Sequence, residues 1–440
     1  MTSDELRCDV AIIGSGVGGM TAAGLLTLAG YKTIVVEKLP LIGGRCSSFN
    51  YKGFELSTGV IILPMDGGPI EPIFRELGAD FDLRPQPEYQ YYRINGVDHE
   101  VRDGKGTLRT LLSFVSKEEE ATKVMEALQK TAMGQVPSSS ISFRDWLAQH
   151  TDNPGILEVF QIMVNFLYGL RIDELPAPEF FYTLRETSHL RNFGIAPRGT
   201  GKLMRSLADS IEQRGNPVWT RSRVKRITVE EGTVTGLTVE REGKVIEIKA
   251  KAVISNAGPQ KTVDLAGQEN FEKSYLKKVK ENLRPVPYIF IAIAAEEPLL
   301  GDRMILMLSG TRRLHSISCP TVLCPELAPP GKHLLYAAAG PSQSLPPFDM
   351  KNELELCHQD LREILPQFDA KAEILMASCF QRDWPLYRTW SGYDLPQKTP
   401  IENLYNVGDG VKPSGMVGLP ACAQSAHLVV ADLKNRIGPS

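Results

Sequence analysis

The 440-residue sequence predicts an α/β fold, in which a parallel sheet extended by an antiparallel meander carries an inserted α+β domain. Three observations support this prediction. A strand, a glycine-rich turn, an apolar helix and a second strand succeed one another over residues 8–37, which is the order of a parallel βαβ unit. Residues 224–255 contain short strands whose middle pair alternates apolar and polar side chains, as in a meander. Residues 404–409 add a strand before another glycine-rich turn.

Apolar runs, and the residues that interrupt them, predict each helix and strand along the chain. The run 8–13 is apolar and β-branched, 17–29 is apolar almost all round until Gly30, and 33–37 is again β-branched. Asn95-Gly96 predicts a type I′ hairpin between 89–94 and 97–102. The remaining predicted elements are a mostly helical stretch over 106–190, a helix over 202–213, strands near 224–230, 234–240, 245–249 and 253–255, a helix near 352–364 among the strands of 286–380, and a final helix with Pro420 in its first turn that ends near 435.

These patterns predict one domain assembled from three separate pieces of chain. Residues 1–68, 197–282 and 395–440 carry the α/β pattern, and residues 69–196 and 283–394 form the inserted α+β domain. The apolar content of 42% and charged content of 23% are ordinary for globular domains and exclude a disordered chain, a collagen-like repeat and a coiled coil.

Charge and cysteine usage exclude several partners. The 49 Lys+Arg against 52 Asp+Glu give a net charge of −3, so no basic excess indicates nucleic acid. The seven cysteines are scattered without a CxxC pair, which favours reduced thiols in the cytoplasm over a disulfide framework, and no metal is expected. Residues 1–7 lack the features of a signal peptide, and the apolar stretch 286–295 is too short to span a bilayer. We expect a cytoplasmic protein, and peripheral contact with the inner face of the membrane stays open.

Gly14-x-Gly16-x-x-Gly19 follows a strand and opens a helix, where a phosphate-binding turn belongs. The first glycine permits the turn, the second lets backbone approach a pyrophosphate, and the third lets helix and strand pack closely. Glu37 ends the second strand 23 residues after Gly14, near the spacing expected for the acid that binds ribose hydroxyls, and its charge disfavours a 2′-phosphate. The unit predicts a dinucleotide site not suited to NADP, the alternative being a glycine turn that binds nothing.

Three further glycine-containing segments support that prediction. Gly43-Gly44-Arg45 lies just past Glu37, and an arginine there can hold a pyrophosphate with its planar fork. Asp409, in Val407-Gly-Asp-Gly410, lies at the end of a strand and can accept hydrogen bonds from sugar hydroxyls. Residues 415–418 then open a helix whose N–H groups can face an electron-rich ring. The alternatives are a solvated surface turn and an ordinary connection.

With these motifs the chain resembles the FAD-dependent amine oxidase and phytoene desaturase superfamily. The similarity covers GSGVGGMTAAGLLTLAGYKTIVVEKLPLIGGR at 14–45, PRGTGKLMRSLAD at 197–209, RVKRI at 223–227 and TPIENLYNVGDGVKPSGMVGLPACAQSAHLVVADL at 399–433. These blocks span about a quarter of the chain in the family's order. The sequence is more similar to phytoene desaturase-like proteins than to amine oxidases.

The resemblance implies a Rossmann-type FAD-binding domain, with FAD extended across the sheet and a substrate domain that caps it. The glycines and Arg45 would contact the pyrophosphate, Glu37 the adenosine ribose, and backbone at Val224 the adenine. Asp409 would contact the ribityl or pyrophosphate region. The full set of implied cofactor-binding residues is Gly14, Gly16, Gly19, Glu37, Lys38, Gly44, Arg45, Gly59, Val60, Val224, Asp409, Gly410, Met416 and Val417, with Gly59, Val60, Met416 and Val417 at the flavin ring.

Departures from the family pattern bear on the substrate. Amine oxidases of the superfamily carry an aromatic residue near the position of Met416 and often a lysine on a strand like 286–295, and this sequence has neither. We therefore expect removal of a hydride and a proton from a C–C bond of a largely apolar molecule, isoprenoid or carotenoid-like or an alicyclic ketone or acid. Oxygen or a quinone would accept the electrons. The alternatives are amine oxidation, an isomerase or saturase using reduced FAD, and a lipid-binding escort protein on the same fold.

Candidate substrate contacts come from two apolar clusters, and no catalytic base stands out in either. Asn165 and Tyr168 lie in an apolar stretch that indicates either a substrate tunnel or ordinary core. Trp384, Tyr387 and Trp390 precede the flavin-closing segment, where aromatic side chains can form a pocket wall or pack between domains.

Overall fold

The computed structural model describes residues 4–104, 106–186 and 192–440. The strands in these residues are β1 (Asp4–Ile13), β2 (Thr33–Val36), β3 (Ser48–Tyr51), β4 (Phe54–Ser57), β5 (Ile62–Pro64), β6 (Arg84–Pro85), β7 (Tyr89–Ile94), β8 (Val97–Arg102), β9 (Phe193–Ile195), β10 (Val218–Trp219), β11 (Ser222–Glu230), β12 (Thr233–Arg241), β13 (Lys244–Ser255), β14 (Tyr288–Ala295), β15 (Ile305–Leu308), β16 (Leu314–Ser318), β17 (His333–Ala339), β18 (Ala372–Phe380) and β19 (Leu404–Asn406). The α-helices are α1 (Val17–Leu28), α2 (Glu71–Leu77), α3 (Thr107–Ser113), α4 (Glu118–Met133), α5 (Phe143–Leu147), α6 (Pro154–Tyr168), α7 (Ala177–Glu186), α8 (Thr200–Glu212), α9 (Pro259–Ala266), α10 (Lys273–Asn282), α11 (Met350–Ile364), α12 (Phe368–Lys371) and α13 (Gly418–Lys434).

The first sheet has the order β10-β2-β1-β13-β12-β11, and β19 also pairs with β13. β10, β2, β1, β13 and β19 run parallel, and β11, β12 and β13 form the predicted antiparallel meander. The α/β fold with this mixed sheet is confirmed. The strands expected at 245–249 and 253–255 are one continuous strand, because residues 250–252 keep the alternation of buried and exposed side chains.

The second sheet has the order β18-β14-β17-β16-β15-β7-β8. Its edge is the predicted hairpin, where Asn95 and Gly96 have φ of 52° and 77°, as a type I′ turn requires. The helical pattern over 106–190 is confirmed by α3 to α7, except for residues 187–191, which lie outside the described residues. The domain limits proposed from the sequence stay a prediction.

Both sheets have an apolar layer on each face. Helices α1, α8 and α13 pack on one side of the first sheet, and α9 and α10 pack on the other. One face of β14 to β17 packs towards α5, α6 and α7, and the other packs on α11. The carboxyl ends of β1, β2, β13 and β19 meet at one edge of the first sheet, which is where open α/β sheets bind ligands.

The structure bears on two further expectations from the sequence. Each of the seven cysteines is a free thiol. Within the described ranges, no helix has the combined length and apolarity needed to cross a membrane.

Candidate cofactor and substrate site

A cavity of about 710 Å³ extends from the carboxyl edge of the first sheet to the face of the second sheet. Polar turns line it at the first sheet, and apolar and aromatic side chains line it at the second. The predicted residues that line this cavity are Gly14, Gly16, Glu37, Lys38, Gly44, Arg45, Gly59, Val60, Val224, Asp409, Trp384 and Tyr387. The fold therefore brings together residues taken from widely separated parts of the sequence.

The turn after β1 is a cradle that side chains would fill. Gly14 has φ of +89°, a conformation that favours glycine, and a Cβ on Gly16 would overlap the Asn256 amide. Gly19 does not line the cavity, because it faces inward, and a Cβ there would overlap the Gly14 carbonyl oxygen. Gly19 thus has the packing role expected of it but not the expected pyrophosphate contact. The open backbone N–H groups at the start of α1 fit a pyrophosphate.

Asn256 joins the two glycine turns, and sequence reasoning did not find it. In the amide orientation that satisfies both partners, its oxygen accepts from Gly16 N–H at 3.2 Å and its nitrogen donates to the Val407 carbonyl at 3.2 Å. It lines the cavity directly after β13. A polar residue at the carboxyl end of a buried strand, two residues before the Gly258-Pro259 turn, was the available signal.

Glu37 is buried just past β2, and it is already held by the backbone around it. Its carboxylate accepts hydrogen bonds from Ser15 N–H and Ser15 Oγ, both at 2.9 Å, and from Leu39 N–H at 2.8 Å. A carboxylate offers about four acceptor positions, so one remains for a ribose hydroxyl. Val224 lines the cavity where β11 shifts register against β12, and such bulges often re-aim backbone at a binding site.

Asp409 and Arg45 form a buried ion pair at the middle of the cavity, with 2.7 Å between Oδ2 and the guanidinium. The Arg388 backbone N–H donates to Asp409 Oδ2 at 2.8 Å, and the Arg388 Nε lies 3.7 Å from Asp409 Oδ1. Burial alone would raise the pKa of Asp409, but the charges of Arg45, Arg388 and Lys412 outweigh it and hold that pKa well below its usual range. The carboxylate is therefore ionised at physiological pH, next to two arginines suited to diphosphate oxygens.

The second sheet and its neighbours form the apolar end of the cavity. Phe290 and Tyr336 stack with ring centroids 4.7 Å apart, and Tyr288 lies on the same strand as Phe290. The Tyr387 hydroxyl donates to the Leu167 carbonyl at 3.1 Å, which fixes its ring at the wall. Sequence reasoning missed these sheet residues, because a fully buried strand gives no signal of which face meets a cavity.

Several predicted contacts at the flavin-closing segment lie beside the cavity and do not line it. Gly410 packs against Pro259 and the Arg388 side chain, behind Asp409. Met416 closes a turn by donating its N–H to the Pro413 carbonyl at 3.2 Å, and Val417 is the N-cap of α13. The wall is formed instead by residues among the first five of α13, namely Gly418, Leu419 and Cys422.

Three predicted substrate contacts also do not line the cavity that the structure describes. Tyr168 is core: it is buried, and its hydroxyl lies 3.4 Å from the Glu179 carbonyl. Asn165 faces Gly340, and the next residue of α6, Phe166, lines the cavity. Trp390 is buried under the Arg284 guanidinium, 5.2 Å from the ring centroid. Apolar periodicity did not separate these residues from their cavity-lining neighbours, because it does not tell a core face from a cavity face.

Comparisons with known proteins agree with this geometry. The family model for flavin containing amine oxidoreductases matches residues 17–434. An uncharacterized protein of Methanocaldococcus jannaschii is 25% identical, over 96% of this chain and 98% of that protein. The 15-cis-phytoene desaturase of Capsicum annuum is 23% identical, over 98% of this chain and 79% of that protein.

Solved structures share the whole architecture. An oxidoreductase from Methanosarcina mazei has a TM-score of 0.84 at 28% identity and covers 97% of this chain and 100% of its own. A putrescine oxidase has a TM-score of 0.74 at 16% identity, over 98% and 100% of the two chains, which is a likeness of fold. The resemblance found in the sequence motifs is confirmed, and the glycine cradle, Glu37 and the Arg45–Asp409 pair fit the dinucleotide FAD. The chain belongs to the flavin containing amine oxidoreductase family and is an FAD-dependent oxidoreductase related to carotenoid desaturases.

Proposed function

We propose that this oxidoreductase is a desaturase or dehydrogenase that removes a hydride and a proton from a C–C bond of a largely apolar substrate. The observation that carries the proposal is the wall formed by the second sheet. Its cavity-lining residues, all within the described part of the chain, include no charged side chain: Tyr288, Phe290, Ile305, Ser316, Ser318, Tyr336, Ala338 and Phe380. Such a wall stabilises an apolar molecule by removing its surface from water.

Within the described part of the chain, an amine substrate finds no carboxylate at this wall. An alkylamine is a cation at neutral pH, and burying it is costly unless a carboxylate pairs with it, whereas the described residues of the second-sheet wall supply only ring faces, hydroxyls and aliphatic groups. The buried lysine of this region, Lys412, does not line the cavity. Its Nζ bonds the Asp394 carboxylate at 2.9 Å, the Thr389 carbonyl at 3.1 Å and the Asp409 carbonyl at 2.9 Å. It therefore stabilises the loop that carries Asp409.

The chain's own residues bind, orient and exclude water. FAD, when bound, supplies the acceptor for a hydride from carbon. The turn at Gly14 and Gly16 would hold the diphosphate, Glu37 would hold a ribose hydroxyl, and Arg45 with Asp409 would hold the middle of the cofactor. Phe290, Tyr336 and Phe380 would shield the reacting carbon from water.

The relatives of this chain support the apolar substrate. They include 15-cis-phytoene desaturases and a prolycopene isomerase of Daucus carota that is 24% identical over 97% of this chain. The putrescine oxidases share the fold at only 15% and 16% identity and carry no argument for an amine. Oxygen or a quinone would take the electrons, and the enzyme would work in the cytoplasm or at the inner face of the membrane.

Anaerobic flavin bleaching tests the proposal. The holoenzyme is mixed with a panel of apolar polyenes and alicyclic ketones and, separately, with alkyl, benzyl and polyamines, and the flavin absorbance is followed. We expect reduction by a member of the first group and none by the amines. Faster bleaching by any amine than by every apolar compound would refute the proposal and favour amine oxidation. Turnover by the reduced holoenzyme would favour an isomerase if the flavin stays reduced, and a saturase if the flavin is oxidised as the substrate is reduced.

A further inference from the structure

A β-bulge places a histidine beside the cavity. β16 pairs with β17 through Leu314 opposite Ala339 and Ser316 opposite Ala338, so His315 is an extra residue between two consecutive pairs. A bulge turns its extra side chain away from the normal alternation. The His315 imidazole is buried, and its Nε2 lies 2.8 Å from the Tyr288 hydroxyl.

Small residues of the intervening strand allow this contact. β17 lies between β14 and β16, and its Ala338, which shares the face of the sheet that carries Tyr288, has only a methyl side chain. Neighbouring strands are about 4.8 Å apart, so the Tyr288 phenol crosses β17 to reach His315 on the far side. The hydrogen bond to His315 fixes the position of the Tyr288 phenol oxygen on the wall. Because a hydroxyl can both donate and accept, the Tyr288 hydroxyl can make a further hydrogen bond to a ligand.

Two serine hydroxyls lie on the same wall. Ser316 and Ser318 line the cavity, and both residues are buried from bulk solvent. Among the described residues neither side chain has a hydrogen-bond partner, and neither oxygen is sealed from the cavity. Unsatisfied hydroxyls in an apolar enclosure are costly unless a ligand or water bonds them. The Tyr336 hydroxyl accepts a hydrogen bond from the Ser57 N–H at 2.7 Å, which holds this phenol oxygen towards β4.

We propose that Tyr288, with Ser316 and Ser318, binds an oxygen atom of the substrate, so that the substrate is an apolar ketone or alcohol and not a hydrocarbon. This inference rests on the proposed function, since it names the substrate class of the same cavity. The hydrocarbon part of the substrate then lies against Phe290 and Tyr336. A ketone held in this way would also have more acidic C–H bonds next to its carbonyl, which eases loss of the proton.

The test measures how much the oxygen atom of a ligand contributes to its binding, by comparing ligands with and without that atom. The probes are 4-tert-butylcyclohexanone, 4-tert-butylcyclohexanol and tert-butylcyclohexane, and their Kd values are read from the flavin absorbance of the oxidised holoenzyme under anaerobic conditions. Tyr288→Phe should raise the Kd of the ketone or the alcohol about 10-fold and leave that of the hydrocarbon unchanged. The ketone and alcohol arms show which oxygen function the wall prefers. Tyr91→Phe, which removes an exposed hydroxyl from the same sheet, should change none of the three.

A second variant keeps the test decisive if Tyr288→Phe does not fold. The double variant Ser316→Ala, Ser318→Ala should weaken the oxygenated probes and spare the hydrocarbon. Equal changes for all three probes, or no change, in every variant that folds would overturn the inference. Failure of the proposed function gives a different result: the hydroxyl-dependent binding would persist while no apolar compound bleaches the flavin. The reverse pattern, bleaching without dependence on the hydroxyls, would overturn only the inference.

Discussion

Acidification should destabilise the protein through His315. Burial lowers the pKa of this imidazole from 6.5 to about 4, so it stays neutral in the folded protein while the unfolded chain takes up a proton below pH 6.5. Its contribution to stability is therefore fully present above pH 6.5 and is lost as the pH falls towards 4. At pH 4.5 the unfolded imidazole is about 99% protonated and the folded one about 25%, which makes the loss about 2.5 kcal/mol at 1.36 kcal/mol per pKa unit.

The assay is urea unfolding of the holoenzyme at pH 7.5 and pH 4.5. Carboxylates also protonate in this range, so the wild type is compared with His315→Gln, which can still bond Tyr288 but does not titrate. The free energy of unfolding should fall by about 2.5 kcal/mol more in the wild type than in the variant. Ser316→Ala, the next residue of the strand, should keep the wild-type pH dependence. Equal falls in wild type and His315→Gln would refute the reasoning.

Three further substitutions test the cofactor end of the cavity. Glu37→Ala should weaken FAD binding about 10- to 150-fold in titrations of the apoprotein, because a ribose hydroxyl loses a charged acceptor. Gly19→Ala should lower the free energy of unfolding by about 1–3 kcal/mol, because the new methyl group overlaps the Gly14 carbonyl. Asp409→Asn should cost about 3–5 kcal/mol in urea unfolding, because Arg45 and Arg388 lose a buried counter-ion.

Matched controls separate these effects from general damage. A Cβ on Gly106 would meet no other atom within 4 Å, so Gly106→Ala should have little effect, and an equal loss in both glycine variants would contradict the packing argument. Asp98 pairs with Arg93 and Arg303 on the second sheet, so Asp98→Asn should leave FAD affinity unchanged. Unaltered FAD affinity in Glu37→Ala would show that the ribose is held elsewhere.

Local signals explain how much of the fold could be predicted. The βαβ unit and the hairpin at Asn95-Gly96 depend mainly on neighbouring residues, so most of their bounds were predicted closely. The start of β1 was not: this strand begins at Asp4 and not at residue 8, because residues 4–7 pair with the distant strand β13. The break expected near residue 251 was wrong, because Lys251 is exposed in a strand that continues on both sides of it. Whether β13 continues depends on its partners β1, β12 and β19, and two of these, β1 and β19, lie far away in sequence.

In the site, too, residues placed by local signals could be predicted and residues placed by distant strand pairing could not. Glycine spacing and strand-end acids place Gly14, Gly16, Glu37 and Asp409 at the cavity, because their positions follow from the turn that contains them. Tyr288 and His315 could not be predicted, since their contact depends on a bulge and on the register of three strands.

The pairing of β19 with β13 and the packing of α13 on α1 constrain synthesis of the protein on the ribosome. α1 ends at Leu28 and α13 begins at Gly418, so at about 5–20 residues per second roughly 20–80 s separate the two during translation. Throughout that interval the apolar surface of α1 lacks its partner helix, and the turn at Gly18 lacks the Gly408 backbone that closes over it. A nascent chain that ends before Gly408 lacks Asp409 and the backbone that closes over Gly18, so we expect it to hold FAD poorly and to expose the apolar surface of α1 to chaperones.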